Sequence, residues 1–296
     1  MSESDALIAI RAEGLSAAIN PLGAELSLLR DSAGRDLLWN GDPAVWSGRA
    51  PLLFPVVGEL AGGSYRLAGK VYHLPRHGFA RRKTFKPVET EPSTAVFRLT
   101  SDETTFPVYP FRFELDVRFA AEERKLTLSA TIRNIGTDEM PASFGFHPAL
   151  RWPLPYNEPR AAHTLQFEQD EPAPVRRLDK NGTILCSQFA SPVEGRSLLL
   201  RDDLFKDDAV IFDQIESRSL RYGAEHGPRV RVDFSDTPYL GVWSKPGAEF
   251  VCIEPWHGCA DPEGYSGDFR DKPGVFVVPA GGEKWCTMSL TLCDAG

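Results

Sequence analysis

Proline and glycine are spread along the whole chain, and this distribution limits the possible folds more than any other feature of the sequence. The 296 residues include 24 prolines and 25 glycines. Few windows keep apolar residues at positions i, i+3, i+4 and i+7 without one of these breakers intervening. Because proline removes a backbone donor and glycine weakens a regular helix, helix is expected to be a minor component.

The segments between the breakers are short and rich in Val, Ile, Leu, Phe and Thr, which favours strands. The tract 60–74, with glycines at Gly62, Gly63 and Gly69, predicts a hairpin. One domain spanning 1–296 is therefore expected, all-β, with antiparallel strands packed as a large sandwich. The clearest strand candidates are 95–100, 111–119, 125–133, 229–234, 250–254 and 287–292.

The charge balance is acidic, with 41 Asp and Glu against 33 Lys and Arg and a net charge of −8. A nucleic acid or an anionic membrane would require a concentrated positive field, so neither is expected as a partner. Residues 1–6 begin no targeting segment, and apolar runs such as 50–57 are too short to span a membrane. A cytoplasmic protein that binds a small molecule is the resulting expectation.

The cysteines predict free thiols in a reducing compartment, because their number is odd and no C-x-x-C pair occurs. They are expected to behave as small buried apolar groups without chemistry. The five are Cys186, Cys252, Cys259, Cys286 and Cys293.

The segment 151–177 is dense in Pro, Glu and Arg and is long for a connection inside a compact domain. Long ordered connections often form the rim of a binding site. A rim and a plain excursion of the chain are both open interpretations.

Glu254 ends the strongly apolar run F-V-C-I-E-P-W at 250–256. By the two-residue period of a strand, Phe250 and Cys252 share its face. A carboxylate on an apolar face is costly unless it has a partner, since burial disfavours the charged form. Pro255 is expected to end the strand, which places Glu254 at the mouth of the sandwich. A functional carboxylate and an ion-paired structural one are both open.

His147 ends a similar segment, S-F-G-F-H-P at 143–148. Two phenylalanines occupy one face of this strand, and a serine and a glycine on the other leave room for a ligand beside the histidine. His77, in P-R-H-G-F-A-R at 75–81, precedes Gly78, which permits a sharp turn. A role in a site and a structural role are open for both histidines.

Aromatic residues flank these three segments and are compatible with a platform for a sugar ring or with ordinary core packing. They are Phe54, Phe79, Trp243 and Trp256. Two histidines and a carboxylate could form a metal triad, but H-x-H, H-x-x-x-H and H-E-x-x-H spacings are absent, so no metal is predicted. Phosphate-loop, dinucleotide-binding and G-x-S-x-G motifs are absent as well.

Taken in order along the chain, five segments resemble the aldose 1-epimerase (mutarotase) superfamily and, within it, the LacX-like branch. They are G-R-A-P-L-L-F-P-V-V-G-E-L at 48–60, H-G-F-A-R at 77–81, F-G-F-H-P at 144–148, L-F-K-D-D-A-V-I-F at 204–212 and I-E-P-W at 253–256. The fold that this resemblance implies is a large antiparallel β-supersandwich. The activity that it implies is interconversion of the α and β anomers of a hexose.

The resemblance also implies the site residues. His77, His147 and Glu254 match the two histidines and the glutamate that family members use for catalysis. Asp208 is the expected contact to sugar hydroxyls, with Asp207 as its competitor. Further substrate contacts are expected from Arg49, which corresponds to a family arginine, and from Arg76 and Trp243. The Asn-Arg pair typical of galactose mutarotases is missing here, which leaves the sugar open.

Mutarotation requires one base and one acid and no cofactor. Glu254 is expected as the base and His147 as the acid, because reference pKa values of about 4.3 and 6.5 allow both forms near neutrality. His77 is expected to hydrogen-bond the ring oxygen or a neighbouring hydroxyl.

Three alternatives stay open at this point. The chain could be a sugar-binding protein without turnover. It could act on a hexose 6-phosphate gripped by arginines such as Arg49, Arg76, Arg81 and Arg82. A glycosidase would need a second carboxylate about 5 to 9 Å from Glu254.

Overall fold

The computed structural model describes residues 7–295, and strands dominate it. Within these residues no α-helix is found, and helical structure is confined to short 3₁₀ segments at Ala61–Gly63, Ala80–Arg82, Arg160–Ala162, Asp202–Phe205 and Phe269–Asp271. The strands, in chain order, are β1 (Ile8–Ala12), β2 (Leu15–Asn20), β3 (Glu25–Asp31), β4 (Leu52–Leu53), β5 (Ser64–Leu67), β6 (Lys70–His73), β7 (Lys86–Glu91), β8 (Thr94–Thr100), β9 (Phe113–Glu122), β10 (Lys125–Asn134), β11 (Met140–Ala142), β12 (Phe144–Phe146), β13 (Ala149–Arg151), β14 (His163–Phe167), β15 (Ser197–Leu199), β16 (Val210–Phe212), β17 (Ser219–Ala224), β18 (Arg229–Asp233), β19 (Tyr239–Trp243), β20 (Phe250–His257), β21 (Phe276–Val278) and β22 (Glu283–Cys293).

Two large antiparallel sheets make up most of the fold. The first has nine strands in the order β15-β14-β17-β18-β22-β10-β9-β8-β7, and the second has six, β16-β19-β20-β12-β4 with β13 also paired to β20. Three smaller sheets, β1-β2-β3, β5-β6 and β11-β21, complete the set. The expected all-β antiparallel fold is confirmed, and the scarcity of helix agrees with the scattered proline and glycine.

The main hydrophobic core lies between the two large sheets. It contains Leu128 and Met288 of the nine-stranded sheet together with Val242, Val251 and Ile253 of the six-stranded sheet. Alternation along β20 therefore turns the other set of side chains away from the core. The outer face of the six-stranded sheet carries Cys252, Glu254 and Trp256, and this face bears the cavity described below.

The predicted strands and the hairpin are all present, with ends shifted by a few residues as is usual for such boundaries. The prediction that Pro255 ends its strand is wrong, because β20 continues to His257. The N–H of Ile253 donates to the carbonyl of Pro148 at 3.2 Å, and the nitrogen of Pro255 points to the same side by alternation. On that side the proline nitrogen faces the gap between β12 and β13, where no partner strand requires a backbone N–H donor. Glu254 consequently lies on the outer face of a sheet and not at the mouth of the sandwich.

The segment 151–177 does not line the cavity that holds Glu254; only Leu178, directly after it, does so. Part of the segment is the strand β14, which pairs with β15 and β17 near one edge of the nine-stranded sheet. Of its two interpretations, the structure fits the plain excursion. No helix among residues 7–295 is both long and apolar enough to cross a membrane.

Candidate active site

A cavity of about 230 Å³ lies on the outer face of the six-stranded sheet. Most of the residues expected to form a site line it together, although they are far apart in the sequence. They are His77, His147, Glu254, Arg76, Asp208 and Trp243.

Glu254 and His147 form a contact pair in the wall of this cavity. Their Oε2 and Nε2 atoms are 3.1 Å apart, and the glutamate is only 2% exposed. Glu254 projects from β20, and His147 follows the end of β12 at the point where Pro148 interrupts the strand. The neighbour of β20 on this side is interrupted between β12 and β13. This break places the imidazole of His147 beside the carboxyl group of Glu254.

Burial shifts the two pKa values in opposite directions. It raises the pKa of Glu254 well above the ordinary value and lowers the pKa of His147 to about 3, since each loses water around its charged form. Both shifts favour the uncharged forms, a protonated carboxyl group and a neutral imidazole. The carboxylate and imidazolium forms, expected from the reference pKa values of exposed groups, are both disfavoured by this burial.

Two tryptophans hold the ring of His147. Trp46 stacks on it with ring centroids 5.2 Å apart and an interplanar angle of 26°. Trp243 meets it edge-on, with a centroid separation of 6.1 Å and an angle of 83°. Trp46 was not predicted from the sequence. The sequence feature that could have indicated it is a large aromatic residue within a stretch rich in Gly, Asp, Pro and Ser, immediately before the segment 48–60.

His77 has a defined tautomer. Its Nδ1 accepts a hydrogen bond from the backbone N–H of Gly58 at 3.0 Å, so that nitrogen carries no proton. Burial lowers the pKa of His77 well below its usual range, and the nearby His147 acts in the same direction. The neutral ring therefore carries its proton on Nε2. His77 can donate one hydrogen bond while the Gly58 contact fixes its orientation.

The backbone at His77 is unusual as well. Its φ angle is 66°, and the following Gly78 has a φ of 69°. A Cβ atom at Gly78 would lie 2.2 Å from the carbonyl oxygen of Phe54, so only glycine fits this turn. The sharp turn anticipated at His77–Gly78 is confirmed, and it directs the imidazole into the cavity.

Arginines supply positive charge on another side of the cavity. Arg76 Nη2 lies 3.7 Å from Asp208 Oδ2, and Arg76 Nε is buried with no hydrogen-bond partner among residues 7–295. Arg81 donates to the carbonyl oxygen of Arg76 at 3.1 Å. Burial lowers the pKa of Arg81 to about 10, with Arg82 and Arg76 contributing repulsion.

Of the two neighbouring aspartates, Asp208 lines the cavity and Asp207 does not. The Asp208 backbone has a φ of 62°, and its Oδ1 accepts from the N–H of Ala209 at 2.8 Å. This local bond and the contact with Arg76 orient the carboxylate. This position is consistent with the expectation that Asp208, and not Asp207, contacts the sugar hydroxyls.

Arg49 does not reach the cavity. Its guanidinium donates to the backbone carbonyl of Asn40 through Nε at 2.9 Å and Nη2 at 2.6 Å, and to that of Ser27 at 3.3 Å. These bonds tie a loop to β3 and hold the guanidinium away from the cavity. The structure therefore does not place Arg49 among the residues of the cavity, which Arg76 and Arg81 line instead.

The remaining wall is apolar. Trp256, Leu178, Ile211 and Ala260 contribute to it. A Cβ atom on Gly241 would lie 2.4 Å from the Trp256 ring, so the indole lies flat over the neighbouring strand β19 only because that position is glycine. Phe54 and Phe79, the other two flanking aromatics, belong to the main core and do not line the cavity.

Three buried polar atoms in this wall have no hydrogen-bond partner among the described residues: Arg76 Nε, His147 Nδ1 and the indole nitrogen of Trp256. A buried polar atom without a partner costs free energy, and a polar ligand in the cavity can satisfy it. The cavity combines proton-transfer groups, unpaired polar atoms and aromatic faces, which suits a small molecule rich in hydroxyl groups.

Comparison with known proteins adds independent findings. A family model described as aldose 1-epimerase matches residues 6–264. The LacX protein encoded on the chromosome of Lactococcus lactis subsp. lactis is 30% identical over 281 residues, which cover 92% of this chain and 94% of that protein.

Solved structures resemble the whole chain. A galactose mutarotase related enzyme from Lactobacillus acidophilus has a TM-score of 0.90 at 28% identity and covers 98% of both chains. A galactose mutarotase-like protein from Lactobacillus casei ATCC 334 has a TM-score of 0.88 at 29% identity, covering 97% of this chain and all of that one. The architecture of this chain is that of these galactose mutarotase-like proteins.

Proposed function

The chain belongs to the aldose 1-epimerase family, in its LacX-like branch, and from this premise we propose that it interconverts the α and β anomers of a hexose. The observation that carries the proposal is the contact of 3.1 Å between Glu254 and His147 inside the cavity. Mutarotation moves one proton onto a sugar and one off it, and a buried acid–base pair that shares a proton supplies both.

The size of the cavity supports a monosaccharide. Its volume of about 230 Å³ is smaller than the roughly 300 to 1,000 Å³ of pockets for drug-sized ligands. The tryptophan faces suit the apolar C–H side of a sugar ring, and Asp208 and Arg76 suit its hydroxyl groups.

Ring opening assigns a role to each member of the pair. With the proton transferred from Glu254 to His147, the carboxylate accepts the proton of the C1 hydroxyl and the imidazolium donates one to the ring oxygen. The bond between C1 and the ring oxygen breaks, and C1 becomes a carbonyl. Rotation about the C1–C2 bond and reclosure, with the roles of acid and base exchanged, yields the other anomer and restores the pair.

His77 assists without gaining or losing a proton. Its Nε2–H is directed into the cavity by the bond from Gly58 to Nδ1, and it donates to the ring oxygen or an adjacent hydroxyl. Such a donor stabilises charge that develops on oxygen during ring opening.

Polarimetry tests the proposal. Optical rotation of fresh α-glucose or α-galactose should approach equilibrium faster with the protein, and Glu254→Gln should lower the catalysed rate by about 10² to 10⁴. Glu249→Gln, an exposed position directly before β20, is the matched control and should keep the rate. A sugar panel with no acceleration by the unaltered protein, together with sugar-induced thermal stabilisation, would show a binding protein without turnover.

A second candidate substrate, a hexose 6-phosphate, is favoured by the arginines. Arg81 is half-buried, lines the cavity and makes no ion pair within 4.0 Å in residues 7–295, so its charge is available to an anionic group. Hydrogen bonds to charged groups contribute about 1.5 to 3 kcal/mol, or about ten- to 150-fold in affinity.

Arg81→Gln separates the two substrates. If the sugar is phosphorylated, this variant should weaken the 6-phosphate and leave the free hexose nearly unchanged, whereas Arg82→Gln, which does not line the cavity, should affect neither. Equal effects on both sugars would exclude a phosphate contact at Arg81.

A further inference from the structure

A buried thiol lies beside the acid–base pair. Cys252 precedes Glu254 by two residues on β20, so both side chains leave the same face of the sheet. The sulfur of Cys252, a ring nitrogen of His147 and a carboxylate oxygen of Glu254 all lie within 4.8 Å of one another. All three residues are buried, with Cys252 fully so.

Sulfur, imidazole nitrogen and carboxylate oxygen are the donors that Zn²⁺ takes in proteins. Three protein ligands with one open position describe a zinc site that is accessible to a small molecule. The ring nitrogen of His147 that would bind the cation is Nε2, which faces the carboxyl group of Glu254. His147 and Glu254 line the cavity, and Cys252 lies behind them in the packed wall.

We propose that Cys252, His147 and Glu254 form a binding site for a soft or borderline divalent cation such as Zn²⁺, and that the bound cation inhibits the isomerase. Binding depends on the geometry alone, whereas inhibition rests on the proposed function. The cation would occupy both members of the acid–base pair, so neither could exchange a proton with a sugar.

The distances set a condition on this site. Zinc bonds of about 2.0 to 2.3 Å place tetrahedral ligand atoms about 3.5 Å apart. The contact between His147 and Glu254, at 3.1 Å, is close to this value. The widest separation of the cluster, up to 4.8 Å, has to shrink by about 1 Å for all three atoms to bind one ion.

Charge sets the second condition. A thiolate and a carboxylate together neutralise a divalent cation, whereas Arg76 and Arg81 across the cavity repel it. The site therefore needs both anionic ligands, and loss of either should weaken binding strongly. This requirement separates the cluster from a thiol that binds metal by itself.

Cadmium titration tests binding without relying on turnover. The experiment uses the full chain with Cys186→Ser, which removes the exposed thiol. Addition of CdCl₂ should produce the ultraviolet absorption of a cadmium–thiolate bond. Cys252→Ser should remove the band and weaken cadmium binding by at least about 100-fold. Loss of a residue that only hydrogen-bonds a metal ligand costs up to about 100-fold, and loss of the ligand itself should cost at least as much. Cys259→Ser, another buried thiol, is the matched control and should keep the band.

Glu254→Gln provides a second test that leaves Cys252 in place. It should also weaken cadmium binding strongly, and cooperative thermal unfolding of each variant checks that it is folded. Cys252→Ala replaces Cys252→Ser if the serine variant does not fold. Equal binding by the background protein and the Cys252 and Glu254 variants would overturn the site.

Inhibition is measured separately. ZnCl₂ should slow mutarotation by the background protein, EDTA should restore it, and Cys252→Ser should be active and resistant to zinc. Zinc bound without any effect on an active enzyme would overturn the inhibitory role. If the protein has no mutarotase activity, the cadmium titration still decides whether the site exists.

Discussion

The most informative single residue is His77, because one backbone contact determines what its ring can do. With Nδ1 accepting the N–H of Gly58, the proton of the neutral ring is on Nε2. A role as general acid would require Nδ1 to be protonated as well, at the cost of this bond. His77 is therefore suited to donate a hydrogen bond and unsuited to transfer protons, which divides the work between it and the pair of Glu254 and His147.

His77→Asn tests this division. Asparagine tolerates the positive φ at this position but is shorter than histidine, so the fold should persist and the donor in the cavity should be lost. We expect kcat/KM to fall by about 10² to 10³, the usual cost of removing such a donor. His73→Asn, at an exposed position, is the control. An unchanged kcat/KM in a folded His77→Asn protein would contradict the assigned role.

Local pattern and family resemblance both indicated His77, His147 and Glu254, and the resemblance added Asp208. His77, His147, Glu254 and Asp208 all line the cavity. Arg49 lies outside the cavity and donates to backbone carbonyls, an arrangement that no sequence motif reveals. The proton positions were also out of reach, because they depend on burial.

At the scale of elements, the site depends on β20 continuing through a proline. The strand continues because its neighbour on that side is divided into β12 and β13, and the residues in this division, His147 and Pro148, face it. The alternation of apolar residues predicts that a strand is present at 250–254. Whether the strand can continue through Pro255 depends on which strand lies beside it. Pairing between distant segments is not encoded in the local pattern.

Gly241→Ala tests the wall that β19 and β20 build together. The added methyl group would meet the Trp256 ring at 2.4 Å, so the indole must move toward the cavity. We expect a loss of about 1 to 3 kcal/mol in the free energy of unfolding, as for other overpacked sites, and a higher KM for sugar. Gly136→Ala, whose Cβ would lie 3.3 Å from the side-chain oxygen of Asn134, should cost less stability and leave KM unchanged. Unfolding in denaturant and polarimetry give the two readouts.

At the scale of the whole molecule, several buried histidines make stability depend on pH. Burial lowers the pKa of His257 to about 4, with Lys284 adding repulsion, and it also lowers the pKa of His163. The unfolded chain binds these protons near pH 6.5, whereas the folded chain does not. Stability from these groups is therefore complete above pH 6.5 and is lost as the pH falls. The raised pKa of Glu254 acts in the opposite sense, since its contribution is lost as the pH rises above 4.5.

His257→Gln tests the contribution of His257 to this pH dependence. The variant cannot take up the proton, so its thermal midpoint should fall less than that of the unaltered protein between pH 6.5 and pH 4. His226→Gln, at an exposed histidine, should leave the pH dependence unchanged. Parallel curves for His257→Gln and the unaltered protein would show that His257 does not contribute. Differential scanning calorimetry across this pH range gives the comparison.

The position of β22 in the nine-stranded sheet has a consequence for how the chain acquires its structure. This strand joins β18 on one side to β10 on the other, and the strands on its two sides have no other link within the sheet. Lys125 of β10 pairs with Thr291 of β22, so one edge of β10 stays unpaired until β22 has been translated. During synthesis the two halves of the sheet present open edges until residues 283–293 emerge from the ribosome. The nascent chain is therefore expected to depend on chaperones until that point.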